Sequence, residues 1–112
     1  MCLFCSIVNK EIPADVVYED DKVLAFRDIN PQAAVHVLVV PKVHVENVKG
    51  ITSENSHILV DIHSAANEVA KKLGLYDKGY RLITNCGEDA GQTVMHMHYH
   101  LLGGEKLGEK IL

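Results

Sequence analysis

The sequence predicts a single α+β domain over residues 1–112, with one long helix beside about five strands. A chain of 112 residues has room for one hydrophobic core but not for two. One segment, residues 54–73, carries apolar side chains at helical spacing, whereas the other apolar runs are short and rich in β-branched residues. Because most of the short runs are joined by tight turns, we expect the strands to form an antiparallel sheet.

The first two predicted strands are residues 16–18 and 22–27, and the acidic turn between them predicts a hairpin. Pro31 closes the second run, since proline cannot donate to a strand ladder. Residues 33–40 are alanine, valine and leucine apart from His36, and they predict a central strand.

The long helix has the strongest signal in the chain. Thr52 or Ser53 is its expected N-cap, and Gly74 suits a left-handed stop. Lys71 and Lys72 lie near the predicted C-terminus, where positive charges interact favourably with the helix dipole. The apolar positions that recur every three or four residues are Ile58, Leu59, Ile62, Ala65, Ala66, Val69, Ala70 and Leu73.

Three further segments complete the predicted fold. Residues 79–85 predict a strand, and residues 86–93 a glycine-containing loop. Residues 94–102 predict the last strand, which Gly103 and Gly104 end.

Charge and hydropathy argue against several classes of function. The formal net charge of −4 and the pI of about 5.9 argue against a polynucleotide-binding surface. The longest uncharged apolar run, residues 33–41, is far shorter than the roughly 20 residues of a membrane span. Cys2, Cys5 and Cys86 occur without a signal-peptide pattern, so we expect reduced thiols and a cytoplasmic protein.

The last predicted strand holds a cluster of histidines. His96, His98 and His100 alternate with Met97 and Tyr99, so a strand would present all three imidazoles on one face. Such a row is costly for packing and therefore points to chemistry. Either neutral imidazoles ligate a metal, or one imidazole attacks phosphorus while a neighbour handles protons.

The loop before the histidines favours the phosphoryl chemistry. Residues 85–93, Asn-Cys-Gly-Glu-Asp-Ala-Gly-Gln-Thr, offer a glycine for close backbone approach beside amide and hydroxyl donors. A metal site would need none of these donors. Imidazole suits attack on phosphorus because a large neutral fraction exists near pH 7.

These residues resemble the signature of the histidine triad (HIT) superfamily. The context Gly-Gln-Thr-Val-x-His-x-His-x-His-Leu-Leu-Gly-Gly, residues 91–104, is similar to the nucleoside phosphoramidase branch, the protein-kinase-C-interacting-protein-like hydrolases. Other segments that resemble this branch are residues 2–7, 10–13, 18–21, 25–32, 36–44 and 79–81. The similarity extends over about residues 2–104.

The resemblance implies a catalytic cluster of four histidines. His98 would attack the α-phosphorus of a nucleoside 5′-phosphoramidate or acyl-adenylate, and water would then hydrolyse the nucleotidyl-histidine intermediate. His100 would bind a phosphate oxygen and assist the leaving group, while His36 and His96 would complete the cluster.

The resemblance also implies a set of nucleotide contacts. They are Phe4, Ile7, Phe26, Asp28, Ile29, Asn85, Gln92, Thr93, His98 and His100. Asp28 would accept from the ribose hydroxyls, the apolar side chains would wall the base slot, and the amides and the threonine would contact the phosphate. Ordinary core packing is an equal alternative for Phe26 and Ile29.

Cys2 and Cys5 are a weak signal by themselves, because a redox pair of this spacing usually follows a strand. In members of the family that carry both cysteines, His44 and His96 supply the other two ligands of a tetrahedral zinc. The resemblance therefore implies structural zinc on these four residues, with two free thiols as the alternative.

Further implications concern partners and substrate. The resemblance implies a short N-terminal helix and a homodimer in which two sheets join into one ten-stranded sheet. The expected substrate is a purine nucleotide derivative. A dinucleoside polyphosphate hydrolase and a non-catalytic nucleotide-binding or adaptor protein are the alternatives. The tail, residues 105–112, lacks the tryptophan-containing ending of closer relatives, which leaves the leaving group open.

Overall fold

A five-stranded sheet with a helix on each face forms the centre of the molecule in the computed structural model, which describes residues 2–112. The elements are α1 (Leu3–Val8), β1 (Val16–Glu19), β2 (Val23–Arg27), β3 (Val35–Pro41), α2 (His57–Lys72), β4 (Arg81–Ile83) and β5 (Tyr99–Gly103). The strand order is β1-β2-β3-β5-β4, and every neighbouring pair is antiparallel. The predicted α+β class is therefore confirmed.

The two faces of the sheet carry different cores. Helix α2 covers one face and buries its apolar stripe against inward side chains of β1, β2, β3 and β5. On the other face, Phe4 and Ile7 of α1 pack against side chains of β2 and β3. Because Leu38 pairs with His100 and His36 pairs with Leu102, both histidines lie on the α1 face.

The predicted hairpin is present between β1 and β2. The Asp20 carboxylate accepts hydrogen bonds from the backbone N–H groups of Lys22 and Val23, each at 2.8 Å. This side-chain turn reverses the chain at the acidic segment that the sequence predicts.

Glu19 connects the end of β1 with two other segments. Its carboxylate accepts from Lys10 and from Lys42, each at 2.8 Å. These two ammonium groups lower the pKa of Glu19 to about 2. Lys42 directly follows β3, so the contact helps to hold the segment that leads to His44.

Helix α2 begins later than predicted. Thr52 and Ser53 lie in a turn, and the N-cap is Ser56. Asn55 explains the delay, because its side chain accepts from the backbone N–H of Thr52 at 2.6 Å and donates to the carbonyl of Gly50 at 2.9 Å. The C-terminus is as predicted, with Gly74 in the left-handed region at φ 77°.

The last strand is shorter than predicted and begins at Tyr99, so it carries only one histidine of the triad. Its expected N-terminal part bonds elsewhere: the N–H of Met97 donates to the carbonyl of Val45 at 2.6 Å. The carbonyl of His98 accepts from the Thr84 hydroxyl at 2.8 Å. The expectation of three histidines on one strand face is therefore wrong, although the ring centroids of His98 and His100 are only 5.2 Å apart.

Within residues 2–112, no helix combines the length and the apolar character that crossing a bilayer requires.

Candidate active site

Three imidazoles line up on the α1 face of the sheet. The ring centroids of His36 and His100 are 5.2 Å apart, and those of His98 and His100 are also 5.2 Å apart. His36 lies on the central strand β3 and His100 on β5, while His98 lies just before β5. Strand pairing therefore brings His36 to the other two from a distant part of the chain.

Hydrogen bonds assign the tautomers of His36 and His100. The backbone N–H of Gln32 donates to His36 Nδ1 at 3.0 Å, so the proton of a neutral His36 is on Nε2. That Nε2 is 2.9 Å from His100 Nδ1, which must then be the acceptor. The proton of neutral His100 is consequently on its Nε2, where it can be donated to a bound molecule.

Burial keeps these two rings neutral. It lowers the pKa of His36 below its ordinary value of 6.5, with Asp28 acting in the opposite direction. It also lowers the pKa of His100, which its histidine neighbours lower further. Both rings are therefore neutral near pH 7, as the tautomer assignment requires.

His98 is oriented through its backbone neighbour. Its Nδ1 lies 2.8 Å from the carbonyl oxygen of His96 and donates to it, because a carbonyl can only accept. The lone pair of a neutral His98 is then on Nε2. The residue is buried, with 8% of its surface exposed, and Phe4 packs edge-on against the imidazole ring at 5.0 Å between centroids. This is the arrangement of an oriented nucleophile.

Asp28 lies beside the histidine row at the end of β2. One carboxylate oxygen accepts from the backbone N–H of Asn30 at 2.8 Å, and the other is 3.4 Å from His36 Nε2. The side chain is 18% exposed, so it can still meet a ligand.

A second cluster brings together Cys2, Cys5, His44 and His96, whose donor atoms all lie within 4.8 Å of one another. His96 Nδ1 is 3.4 Å from Cys2 Sγ, 3.5 Å from Cys5 Sγ and 3.2 Å from His44 Nδ1. Ligand atoms around a tetrahedral zinc are spaced by about 3.3–3.8 Å, as its usual bond lengths require. The cluster can therefore hold a metal ion.

The surroundings of this cluster also suit a metal. His96 Nε2 donates to the carbonyl of Pro41 at 2.8 Å, which leaves Nδ1 free to ligate. Burial, together with the neighbouring Cys2 thiol, raises the pKa of the Cys5 thiol. Two thiolates this close repel each other, and a bound cation would relieve the repulsion.

Asp28, His36 and His100 also place donor atoms within 4.8 Å of one another. This set is less suited to a metal. The backbone N–H of Gln32 donates to His36 Nδ1, so the ring proton lies on Nε2, the nitrogen that would have to bind the metal. Metal binding at Nε2 would cost that backbone hydrogen bond.

A protein-family model matches most of the chain, including the segment with the histidine row. The model of the HIT domain matches residues 9–107. The chain belongs to the HIT domain family. The resemblance that the motifs indicate is thereby confirmed.

Relatives of this HIT protein cover nearly its whole length. The purine nucleoside phosphoramidase of Escherichia coli (strain K12) is 43% identical over 106 residues, which span 95% of this chain and 89% of that protein. An uncharacterized HIT-like protein of Helicobacter pylori is 45% identical over 95% of this chain and 99% of its own.

Solved HIT structures agree with the fold. A HIT family hydrolase from Clostridium thermocellum is 60% identical and has a TM-score of 0.96, covering 99% of this chain and 96% of that chain. A histidine triad protein from Clostridium difficile is 50% identical with a TM-score of 0.94, covering 97% and 95% of the two chains.

The expected wall of the HIT base slot is divided between core and surface. Phe4, Ile7 and Phe26 are buried in the cluster between α1 and the sheet. Ile29, by contrast, is 92% exposed and is not a core residue. Its exposure leaves it free to cover a ligand.

The expected phosphate contacts occupy the loop before the triad. Asn85 donates through Nδ2 to the carbonyl of Ala90 at 2.8 Å, and Thr93 is exposed. Gln92 differs from the expectation: it is 5% exposed, and protein groups take all of its hydrogen-bonding positions. Its side chain therefore has no donor left for a phosphate.

Two residues of the site have no signal in the sequence. Thr84 holds the carbonyl of His98, and Asn47 bonds to Gln92 at 3.2 Å. Both contacts join segments that are distant in the chain. Neither residue belongs to a pattern of spacing, so only the fold could reveal them.

Proposed function

We propose that this HIT protein is a nucleotide hydrolase that cleaves P–N or mixed-anhydride bonds of purine nucleoside 5′-monophosphate derivatives. The observation that supports this proposal most directly is that Nε2 of His98 is free and lies beside His100, whose Nε2 bears a proton. The name of the E. coli relative, purine nucleoside phosphoramidase, supports the substrate class.

In the first step, His98 Nε2 attacks the α-phosphorus and forms a P–N bond. The bond from phosphorus to the leaving nitrogen breaks, and that nitrogen takes a proton from a water molecule, which becomes hydroxide, while the Nε2–H of His100 donates a hydrogen bond to a phosphate oxygen. The His98 ring gains positive charge as it becomes nucleotidylated. The His96 carbonyl, which accepts from Nδ1 at 2.8 Å, stabilises this charge.

In the second step, the hydroxide formed in the first step attacks the phosphorus and the bond to His98 breaks. The electron pair returns to Nε2 of His98, and His100 keeps its Nε2–H on the phosphate oxygen. This restores the free Nε2 of His98 and releases the nucleoside monophosphate. His36 holds the proton that keeps His100 Nδ1 an acceptor throughout.

The nucleotide is bound by the residues around this row. Asp28 accepts from the ribose hydroxyls, and Ile29 covers the base against the wall formed by Phe4, Ile7 and Phe26. Asn85 and Thr93 contact the phosphate.

The test is turnover of adenosine 5′-phosphoramidate by wild type and by His98→Ala. We expect loss of activity in His98→Ala, since the covalent route is removed. His57→Ala is the matched control, because His57 is an exposed histidine on α2, and it should retain full activity. Retained turnover in His98→Ala would contradict the mechanism.

Two further measurements separate the alternatives. Diadenosine tetraphosphate offered in competition should be the slower substrate, and faster cleavage of it would favour a dinucleoside polyphosphate hydrolase. If wild type binds adenosine monophosphate but hydrolyses neither compound, a nucleotide-binding or adaptor role replaces the enzyme.

We also propose that Cys2, Cys5, His44 and His96 bind a structural zinc. It would tie α1 to the segment that holds the nucleophile. Metal analysis of protein purified without chelators should find about one zinc per chain, and chelation should lower the melting temperature. Cys5→Ser should abolish this response, whereas Cys86→Ser should not. Protein without zinc whose stability does not rise on adding zinc would remove this proposal.

A further inference from the structure

Gln92 is a buried amide with four protein partners. Its Nε2 donates to the carbonyl of Glu46 at 2.7 Å and to the carbonyl of Val94 at 3.1 Å. Its Oε1 accepts from Asn47 Nδ2 at 3.2 Å and from the backbone N–H of Gly87 at 2.9 Å. An amide has two donors and two main acceptor positions, so the side chain is saturated.

The orientation of this amide follows from its partners. Carbonyl oxygens can only accept and a backbone N–H can only donate, so a flipped amide would face Glu46, Val94 and Gly87 with the wrong atoms. Its 5% exposure means that a lost partner would not be replaced by bulk water.

The four partners belong to three separate segments of the site. Glu46 and Asn47 follow His44, Gly87 begins the loop that precedes the triad, and Val94 leads to His96. The N–H of Met97 also donates to the carbonyl of Val45 at 2.6 Å, so the first and third segments are joined twice. Gln92 connects the loop that begins at Gly87 to these two segments.

We propose that Gln92 is a positioning residue that fixes the loop, residues 87–93, relative to the His44 segment and to the backbone that orients His98. This rests on the proposed function, because the loop is the expected phosphate cradle. Gln92 acts on the reaction through the backbone it holds and does not touch the phosphate. Misplacement of a catalytic group by about 1 Å can cost roughly 100-fold in rate.

The experiment compares Gln92→Glu, Gln92→Ala, Asn47→Ala and the double variant Asn47→Ala/Gln92→Ala in phosphoramidate turnover. We expect both Gln92 variants to lower kcat by about 10- to 100-fold with KM changed by less than about 3-fold. Gln92→Glu keeps the size of the side chain but loses both donors. The double variant should be no slower than Gln92→Ala within about 2-fold, because Asn47 acts on the loop through its contact with Gln92.

Asn55→Ala is the matched control. Its amide also bonds loop backbone, at Thr52 and Gly50, but it belongs to none of the three segments. It should leave kcat unchanged. An equal loss in Asn55→Ala would overturn the proposal, as would effects of Asn47→Ala and Gln92→Ala that simply multiply.

A second readout uses zinc alone. Because Gln92 holds the residues next to His44, Gln92→Ala should weaken zinc binding by about 10-fold, measured by competition with a chromophoric chelator. A direct phosphate ligand would not change this affinity. If wild type binds zinc and Gln92→Ala binds it equally well, Gln92 does not hold the His44 segment and the proposal fails.

These measurements separate failure of this proposal from failure of the proposed function. Wild type that does not hydrolyse the phosphoramidate would reject the function, while zinc affinity still tests Gln92. Active wild type with fully active Gln92→Glu would reject the role of Gln92 alone.

Discussion

At the residue scale, the hydrogen-bond partners of each imidazole decide its chemistry. Gln32 leaves His36 with a proton to donate to His100, and the carbonyl of His96 leaves Nε2 of His98 free to attack. The same side-chain type is thus a hydrogen-bond donor, a candidate nucleophile or a candidate metal ligand according to one neighbouring backbone group.

His36→Leu tests this chain of hydrogen bonds. The variant removes the donor that fixes His100, so its proton should distribute between both ring nitrogens. We expect kcat to fall by at least about 10-fold, because fewer molecules then present an Nε2–H donor to the phosphate. Nitrogen-15 NMR of His100 should show mixed tautomers. A single unchanged tautomer with unchanged kcat would contradict this role of His36.

Buried neutral histidines also predict how stability depends on pH. In the folded state burial lowers the pKa values of His36 and His100 below 6.5, whereas unfolded histidine titrates near that value. Below about pH 6.5 the unfolded chain therefore binds more protons, and the free energy of unfolding falls as the pH is lowered. Well above that pH the two histidines are neutral in both states and the penalty is absent.

Urea unfolding of chelator-treated protein between roughly pH 8 and pH 5 measures this effect. His36→Leu should show a shallower loss of stability than wild type, while His57→Ala should follow wild type. An equal slope in His36→Leu would show that His36 titrates normally.

At the element scale, the short helix α1 serves both candidate sites. Cys2 caps its N-terminus by accepting from the N–H of Cys5 at 3.3 Å, and both cysteines face His96. The same helix holds Phe4, whose ring centroid is 5.0 Å from that of His98 and 5.6 Å from that of Phe26. So short a helix is not stable alone, and its packing keeps it in place.

Phe4→Ala should therefore be severe. Removing a buried phenyl ring costs about 3–5 kcal/mol of unfolding free energy, and here it also frees the ring of His98. Leu3→Ala is the matched control, since Leu3 is 48% exposed on the same helix, and it should change stability by less than about 0.5 kcal/mol. Urea unfolding and kcat would measure both effects, and a Phe4→Ala protein as stable as Leu3→Ala would contradict this role.

At the scale of the whole molecule, the sheet ends at β4, whose three residues pair with β5 only within residues 2–112. An unpaired strand edge invites pairing with another chain. We propose that two copies join to continue the sheet, as the family resemblance implies, with α2 contributing to the contact.

Sedimentation tests the dimer directly. At micromolar concentration the protein should sediment with twice the chain mass of 12.4 kDa. Leu82→Pro, in the middle of β4, should shift the mass toward one chain because proline cannot donate to a strand ladder. Wild type that sediments as a single chain would exclude the dimer.

The sequence by itself determined the fold class and the family, and it indicated candidate residues for the chemistry, because these depend on residue type and spacing along the chain. Periodicity located α2 and its end at Gly74, and the alternation of histidines located the triad. Spacing could not show that His96 and His98 precede the last strand, since Val45 and Thr84 bond the backbone there.

Only the tertiary structure decided the role of each side chain. Gln92 belongs to the same motif as Thr93, yet it bonds protein on every side while Thr93 is exposed. Phe26 lies in the core, and Ile29, three residues later, lies in solvent. The physical reason is that burial and hydrogen-bond partners come from residues far apart in the chain, and which nitrogen of His98 is free depends on those partners.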